Sequence, residues 1–208
     1  MKAVIFDFDG TIVDTESLWV DVYIDLIEEK YGHTVPMTIF NKCVGTKDTA
    51  LYDYLTEYVD ASIKREQLSP LAEQLVNSHI NSLPIRQGIL SALDRFKAQG
   101  LRIAIASGSQ RHWILSFIQE NNLTHYFEEI RCADDVENVK PSPDIYLAAL
   151  EALNLTANEC FAIEDSVNGA TAAIRADIKC YVVPNEVTAL DTFPLEVIRL
   201  DSFDDILV

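Results

Sequence analysis

Short runs of apolar residues recur along this chain, and each run ends at glycine or at polar residues. The first run covers residues 2–6 and is followed directly by Asp7-Phe8-Asp9-Gly10-Thr11. Such runs, rich in β-branched residues and bounded by polar ones, predict strands that are buried on both faces. By the same pattern we predict strands over residues 101–106, 126–131, 160–163 and 178–183, and a last one over 197–200.

The apolar spacing between these runs is helical. Leu18, Val22, Leu26 and Ile27 share one face of a helix predicted over residues 14–30. From residue 31 to 83 every pattern is helical, with helices predicted over 37–43, 48–58 and 62–82. Beyond the Pro- and Gly-containing segment 83–88, helices predicted over 89–98, 110–120, 143–153 and 167–175 alternate with the strands.

This alternation predicts an α/β fold with a Rossmann-like doubly wound parallel sheet. The core would comprise residues 1–14 and 84–208, and residues 15–83 would form an inserted all-helical cap domain. The cap would begin directly after the first strand. From there it could exclude water from a site at the strand end and select the substrate.

Charge and cysteine content limit the possible partners and location. The net charge is −17, whereas binding to nucleic acid or to an anionic membrane needs clustered Lys and Arg. We therefore expect neither partner. The four cysteines show no metal-ligand spacing, and no signal peptide or membrane-spanning run is evident. We expect a cytoplasmic protein with reduced thiols, and a monomer, because nothing requires a partner subunit.

Polar residues with chemical potential follow several of the predicted strands. Asp7 and Asp9, two positions apart, would share one side of the strand end, and their repulsion would be relieved by a divalent cation. Gly10 would let a bound group approach the backbone. Alternatively, both aspartates are simply turn residues.

The second and third groups could bind an anion. Ser107-Gly108-Ser109 follows the strand ending at Ala106 and offers a hydroxyl and backbone N–H groups. It could equally be an ordinary turn. Lys140 is a compact charge suited to phosphate, although it could be a solvated lysine or a partner of the acidic run 134–137.

The fourth group is Glu164-Asp165-Ser166, which follows the strand over 160–163. Two adjacent acids at a buried strand end need compensation, as Asp7 and Asp9 do. Alternatively, Asp165 or Ser166 caps the next helix. Together the four groups describe a phosphate held over a Mg²⁺ ion.

At these positions the whole chain resembles the haloacid dehalogenase-like superfamily, and its helical insert resembles the cap of the β-phosphoglucomutase-like branch. The resemblance implies that Asp7 is the nucleophile and Asp9 the general acid/base. It implies Mg²⁺ ligation by Asp7, the backbone carbonyl of Asp9, and Asp165, with Glu164 near or among the ligands. It also implies that Gly10, Thr11, Ser107, Gly108 and Lys140 bind the phosphate.

The implied function is a phosphatase acting on a small phosphorylated metabolite, such as a sugar phosphate, through an aspartyl-phosphate. Mutases of the branch resemble this chain but carry a histidine where it has Trp19, which favours the phosphatase. Substrate contacts are expected from Trp19, Lys47, Ser109 and Arg111. A phosphomutase and a non-enzymatic, receiver-like phospho-aspartate switch remain as alternatives.

Overall fold

The computed structural model describes residues 1–40, 42–43, 48–79 and 83–207. Its centre is a sheet of six parallel strands in the order β3-β2-β1-β4-β5-β6. The strands are β1 (Ala3–Phe6), β2 (Arg102–Ala106), β3 (Glu129–Arg131), β4 (Cys160–Glu164), β5 (Lys179–Val182) and β6 (Ile198–Arg199). The predicted α/β fold class with a doubly wound parallel sheet is confirmed.

Strand β1 lies in the middle of the sheet, and all four of its residues are buried. Ala3 is in register with Arg102 of β2 on one side and with Cys160 of β4 on the other. Side chains alternate along β1, so Val4 and Phe6 pack into one apolar cluster whereas Ala3 and Ile5 pack into another. Burial on both faces explains why these strands are continuous apolar runs.

Helices connect and cover the strands. They are α1 (Thr15–Tyr31), α2 (Met37–Phe40), α3 (Thr49–Tyr58), α4 (Arg65–His79), α5 (Ile89–Ala98), α6 (Arg111–Glu120), α7 (Asp144–Leu153) and α8 (Val167–Arg175). Among the helices described, none is both long enough and apolar enough to cross a membrane.

Helices α1 to α4 share a third apolar cluster, which includes Ile27, Leu55 and Val76. The chain segments that lead into and out of this helical region run side by side, because Arg86 N donates to Ile12 O at 2.9 Å and Val13 forms an antiparallel bridge with Ile85. The division into a core of 1–14 and 84–208 and a cap of 15–83 stays a prediction.

Two predicted elements begin three residues later in the structure. The strand expected over 126–131 is wrong in its first half, where Thr124–Tyr126 forms a 3₁₀ turn held by Tyr126 N donating to Leu123 O at 3.0 Å; pairing with β2 begins only at Glu129. The helix expected over 62–82 begins at Arg65 instead, because the Asp60 side chain accepts from Ser62 N and forms a turn first. Residues 80–82 lie outside the described residues.

Candidate active site

The predicted chemical groups meet at one edge of the sheet. Asp7 follows β1, Ser107 follows β2, and Glu164 ends β4. These three strands are neighbours and parallel, so their carboxyl ends lie side by side. Hydrogen bonds extend the ladders into the site: Asp7 N donates to Ile163 O at 2.9 Å, and Ser107 N donates to Arg131 O at 3.0 Å. Ligands of open α/β sheets bind at this edge.

Lys140 joins two buried carboxylates. Its Nζ donates to Oδ1 of Asp7 and to Oε1 of Glu164, the latter at 2.7 Å. The Lys140 side chain is 10% exposed and that of Glu164 is 0% exposed. Although burial works in the opposite direction, the two carboxylates raise the pKa of Lys140 above its ordinary value. Lys140 is therefore a charged side chain that is paired with Asp7 and Glu164. It is neither a solvated lysine nor a partner of the acidic run 134–137.

The two carboxylate oxygens of Asp7 differ in their contacts, since Lys140 contacts only Oδ1. Its Oδ2 is buried and has no hydrogen-bond partner among the described residues. Burial and the nearby Glu164 carboxylate raise the pKa of Asp7 to about 8, even though Lys140 lowers it. An unpaired buried oxygen on an acid is costly without a compensating positive charge.

The acids that could hold a cation are Asp7, Glu164 and Asp165. One carboxylate oxygen from each lies within 4.8 Å of the others, and all three residues are buried. Burial and the Glu16 carboxylate raise the pKa of Asp165 well above its usual range. A hard divalent cation such as Mg²⁺ prefers this all-oxygen donor set. The unpartnered Asp7 Oδ2 and this convergence of acids fit such an ion.

Gly10 allows Asp165 to reach this position. Gly10 has φ +80°, and a Cβ there would lie 2.2 Å from Asp165 Oδ2. Thr11 Oγ1 donates to the other oxygen, Oδ1, at 3.1 Å. Gly10 and Thr11, which we expected at the phosphate, thus lie against Asp165. Ser166 is the residue that caps α8, through its Oγ and Gly169 N, so Asp165 is not needed as the cap.

Asp9 is not part of the acid cluster of Asp7, Glu164 and Asp165, and its carboxylate accepts from three hydroxyls. Thr15 Oγ1 donates to Oδ1 at 3.1 Å, and Ser107 Oγ and Ser109 Oγ donate to Oδ2 at 3.1 and 2.6 Å. The Ser107 oxygen also accepts from Ser109 N at 3.0 Å. The loop after β2 therefore orients the Asp9 carboxylate.

A cavity of about 430 Å³ opens in front of Asp7 and Asp9. Of the other residues we predicted, it is also lined by Lys140, Gly108, Ser109 and Trp19. The Trp19 ring stacks on Tyr23, with 6.2 Å between the ring centroids. Helix α1 therefore brings an aromatic surface to the cavity.

Arg111 is not among the residues that line the cavity, and its expected contact with the substrate stays a prediction. Its guanidinium pairs with Asp135 and donates to Ile130 O at 3.3 Å. Strand β3 delivers Asp135 next to the start of α6, which the sequence pattern did not reveal. Lys47 and the segment 44–47 lie outside the described residues.

Sequence reasoning missed three residues around the acid cluster. Asn185 Nδ2 donates to Glu16 Oε2 at 2.6 Å and to Asp165 Oδ2 at 2.9 Å. Burial raises the pKa of Glu16 to about 7.

The Arg86 guanidinium donates to the carbonyls of Gly10, Val183 and Pro184 at 2.5, 3.1 and 2.8 Å. Of these three residues, only Asn185 could have been predicted from the sequence, because it is a polar residue shortly after β5.

A doubly wound parallel sheet with buried acids and a lysine at its carboxyl edge is the arrangement of an α/β protein with a ligand site at that edge. The chain belongs to the haloacid dehalogenase-like hydrolases, whose family model matches residues 4–183. The predicted membership of this family, its β-phosphoglucomutase-like phosphatase branch, and the prediction of an enzyme are confirmed.

Relatives with activity-based names resemble almost the whole chain. It is 39% identical over 203 residues to "Putative phosphatase YhcW" of Bacillus subtilis, covering 97% of this chain and 92% of the relative. It is 29% identical over 180 residues to the phosphorylated carbohydrates phosphatase of Thermotoga maritima, covering 86% and 83%. A crystal structure described as a "putative beta-phosphoglucomutase" from Thermotoga maritima has a TM-score of 0.78 and 26% identity, covering 98% and 95%.

Proposed function

We propose that this chain is a Mg²⁺-dependent phosphatase that hydrolyses a small, sugar-phosphate-like monoester through an aspartyl-phosphate on Asp7. The observation that carries the proposal is the state of the Asp7 carboxylate. It lines the cavity, Lys140 holds one oxygen, and the other has no hydrogen-bond partner among the described residues. A carboxylate in this state is suited to nucleophilic attack on phosphorus.

Positive charge must first offset the repulsion between Asp7 and the phosphate. Lys140 supplies one charge directly beside the nucleophile. Asp7, Asp165 and the backbone carbonyl of Asp9 would hold Mg²⁺, with Glu164 beside them. When bound, the ion supplies further charge that keeps Asp7 ionised and draws electrons from the phosphoryl oxygens.

The reaction proceeds in two displacements on phosphorus. A bond forms between an Asp7 oxygen and phosphorus while the bond from phosphorus to the ester oxygen breaks, and Asp9 gives its proton to the departing alcohol. Asp9 then takes a proton from water, which attacks the phosphorus of the aspartyl-phosphate. Inorganic phosphate leaves and the Asp7 carboxylate is regenerated.

The lining of the cavity supports a small hydroxylated substrate. Glu16 and Asn168 offer polar groups, and Trp19 offers an aromatic face for the C–H groups of a sugar. The relative from Thermotoga maritima is named for phosphorylated carbohydrates. A charge of −17 disfavours nucleic acid as a substrate. The proposal includes a cytoplasmic, monomeric enzyme.

A phosphomutase is the second candidate, because one similar structure is described as a "putative beta-phosphoglucomutase". A mutase must return the phosphoryl group to a sugar instead of passing it to water. Trp19 lines the cavity at the position where mutases of the branch carry a histidine, and its indole lacks a basic nitrogen. This favours hydrolysis.

The test is release of inorganic phosphate from a panel of phosphorylated sugars and polyols with Mg²⁺. Asp7→Asn is the matched control, because it keeps the shape of the side chain and removes the nucleophile. We expect release from at least one monoester, lost with EDTA and lost in Asp7→Asn. Interconversion of hexose phosphates without phosphate release would favour the mutase, and full activity of Asp7→Asn would contradict the mechanism.

A further inference from the structure

Tyr146 contacts both members of the Lys140–Glu164 ion pair. It lies on α7 and is fully buried. Its hydroxyl donates to Glu164 Oε1 at 2.6 Å, and the same oxygen accepts from Lys140 Nζ at 2.7 Å. Lys140 Nζ also lies 5.2 Å from the centroid of the Tyr146 ring. Tyr146 does not itself line the cavity.

The Glu164 carboxylate is confined from its other side as well. Its Oε2 lies 3.4 Å from Ser166 Oγ and 3.4 Å from Asp165 N. A Cβ on Gly169 would lie 2.0 Å from Oε2, so only glycine leaves room for the carboxylate.

The two acids that contact Lys140 therefore differ in whether they keep a carboxylate oxygen without a hydrogen-bond donor. Glu164 Oε1 already has two donors, whereas Asp7 Oδ2 has no partner among the described residues. We propose that Tyr146 is a positioning residue: it fixes Glu164 so that Glu164 holds the Lys140 ammonium beside Asp7, where the phosphoryl group binds. This inference rests on the proposed function, because it concerns the same site.

The first test needs no enzymatic activity. Acetic anhydride would be used to label lysines, and the rate at Lys140 would be followed by mass spectrometry in the wild type and in Tyr146→Phe. Tyr181→Phe is the matched control, because Tyr181 is also buried and its hydroxyl donates to Leu207 O at 3.1 Å, outside the site. We expect faster labelling of Lys140 in Tyr146→Phe alone, and an unchanged rate there would overturn the inference.

Gly169→Ala provides a second route if Tyr146→Phe does not fold. The added Cβ displaces the Glu164 carboxylate while Tyr146 stays in place, so Lys140 should again become more reactive towards acetic anhydride. A Lys140 rate equal to that of the wild type would show that Glu164 does not hold the ammonium, and the inference would fail.

The second test asks whether Tyr146 acts through Glu164. With p-nitrophenyl phosphate and Mg²⁺, Tyr146→Phe should lower kcat/KM about tenfold, the effect of one hydrogen bond to a charged group. In a Glu164→Gln background the same change should have little further effect, whereas a merely structural role gives additive losses. If the wild type releases no phosphate, the proposed function fails and the labelling experiment still decides the role of Tyr146.

Discussion

Asn185 Nδ2 lies 2.9 Å from Asp165 Oδ2 and holds that buried carboxylate from the loop after β5. The same amide nitrogen donates to Glu16 at 2.6 Å, so one neutral side chain separates two acids. The loop fixes the orientation of the Asn185 amide, because Asn185 Oδ1 accepts from the backbone N–H groups of Val187 and Thr188. Asn185 thereby lets two carboxylates share a buried space.

Replacing Asn185 with alanine should destabilise the metal-free protein. Asp165 and Glu16 would lose a shared donor, and an unsatisfied buried group costs about 1–3 kcal/mol. Urea unfolding with EDTA measures the change. Asn158→Ala, at an exposed asparagine, should change stability by less than about 0.5 kcal/mol. Equal stabilities for the two variants would contradict the role given to Asn185.

The stabilisation by Mg²⁺ should grow with pH. The pKa is about 8 for Asp7 and about 7 for Glu16 in the metal-free fold, against ordinary values of 3.8 and 4.5. Between the ordinary and raised values the folded state binds more protons than the unfolded state, so the metal-free protein loses stability as pH rises from about 4 towards about 8. Mg²⁺ replaces those protons, and its effect is therefore largest at the higher pH.

Thermal unfolding with and without Mg²⁺, at about pH 5 and about pH 8, measures this linkage. The gain in Tm should be clearly larger at the higher pH. Asp7→Asn should reduce the difference between the two pH values, because it removes the group with the larger of these two raised pKa values. A gain that is the same at both pH values would show that the acid cluster does not take up the ion.

The sheet was predictable because strands that are buried on both faces are rich in apolar residues, and this pattern is visible in the sequence. Strands β1, β2, β4 and β5 consist mostly of apolar residues, and their alternation with helices predicts a parallel sheet. Asp7, Asp9, Lys140, Glu164 and Asp165 were found by one rule, since all lie at or after strand ends that share an edge. The start of β3 was placed too early because Tyr126 and Phe127, which precede it, are aromatic residues of the kind that favour strands.

The remaining site residues depend on how distant loops approach each other. Arg86 serves the site only because the segment after residue 83 returns beside Ile12 and brings the guanidinium to Gly10 O. The ion pair of Arg111 was not predictable for the same reason: its partner Asp135 is 24 residues away and lies on the segment that follows β3. Residue type and spacing do not predict such contacts between residues that are far apart in the sequence.

Removing the Lys140 charge should strongly destabilise the metal-free protein. In Lys140→Met, Asp7 and Glu164 would face each other without a cation, and breaking a buried ion pair costs about 3–5 kcal/mol. Lys2→Met is the matched control, because Lys2 pairs with Glu159 at the surface with 65% of its side chain exposed. That change should cost less than about 1 kcal/mol.

Urea unfolding with EDTA at about pH 9, where Asp7 is ionised in the wild type, compares the two lysine variants. Repeating the experiment at about pH 6 should narrow the difference, because Asp7, whose pKa is about 8, is then protonated and the repulsion in Lys140→Met is relieved. A pH-independent cost, or equal costs for the two lysines, would argue against a charged Lys140 between the two acids.

Trp19 should govern the choice of substrate and leave phosphate binding intact. Its ring lines the cavity and stacks on Tyr23, but Asp7 and Lys140 hold the reacting end. Trp19→Ala should raise KM for the preferred sugar phosphate about tenfold, the scale of losing one well-packed aromatic contact. Competitive inhibition by inorganic phosphate should stay unchanged. Trp19→Phe, which keeps an aromatic face, should retain most of the affinity. If both variants weaken inorganic phosphate and the sugar phosphate equally, Trp19 supports the shape of the site and does not contact the sugar.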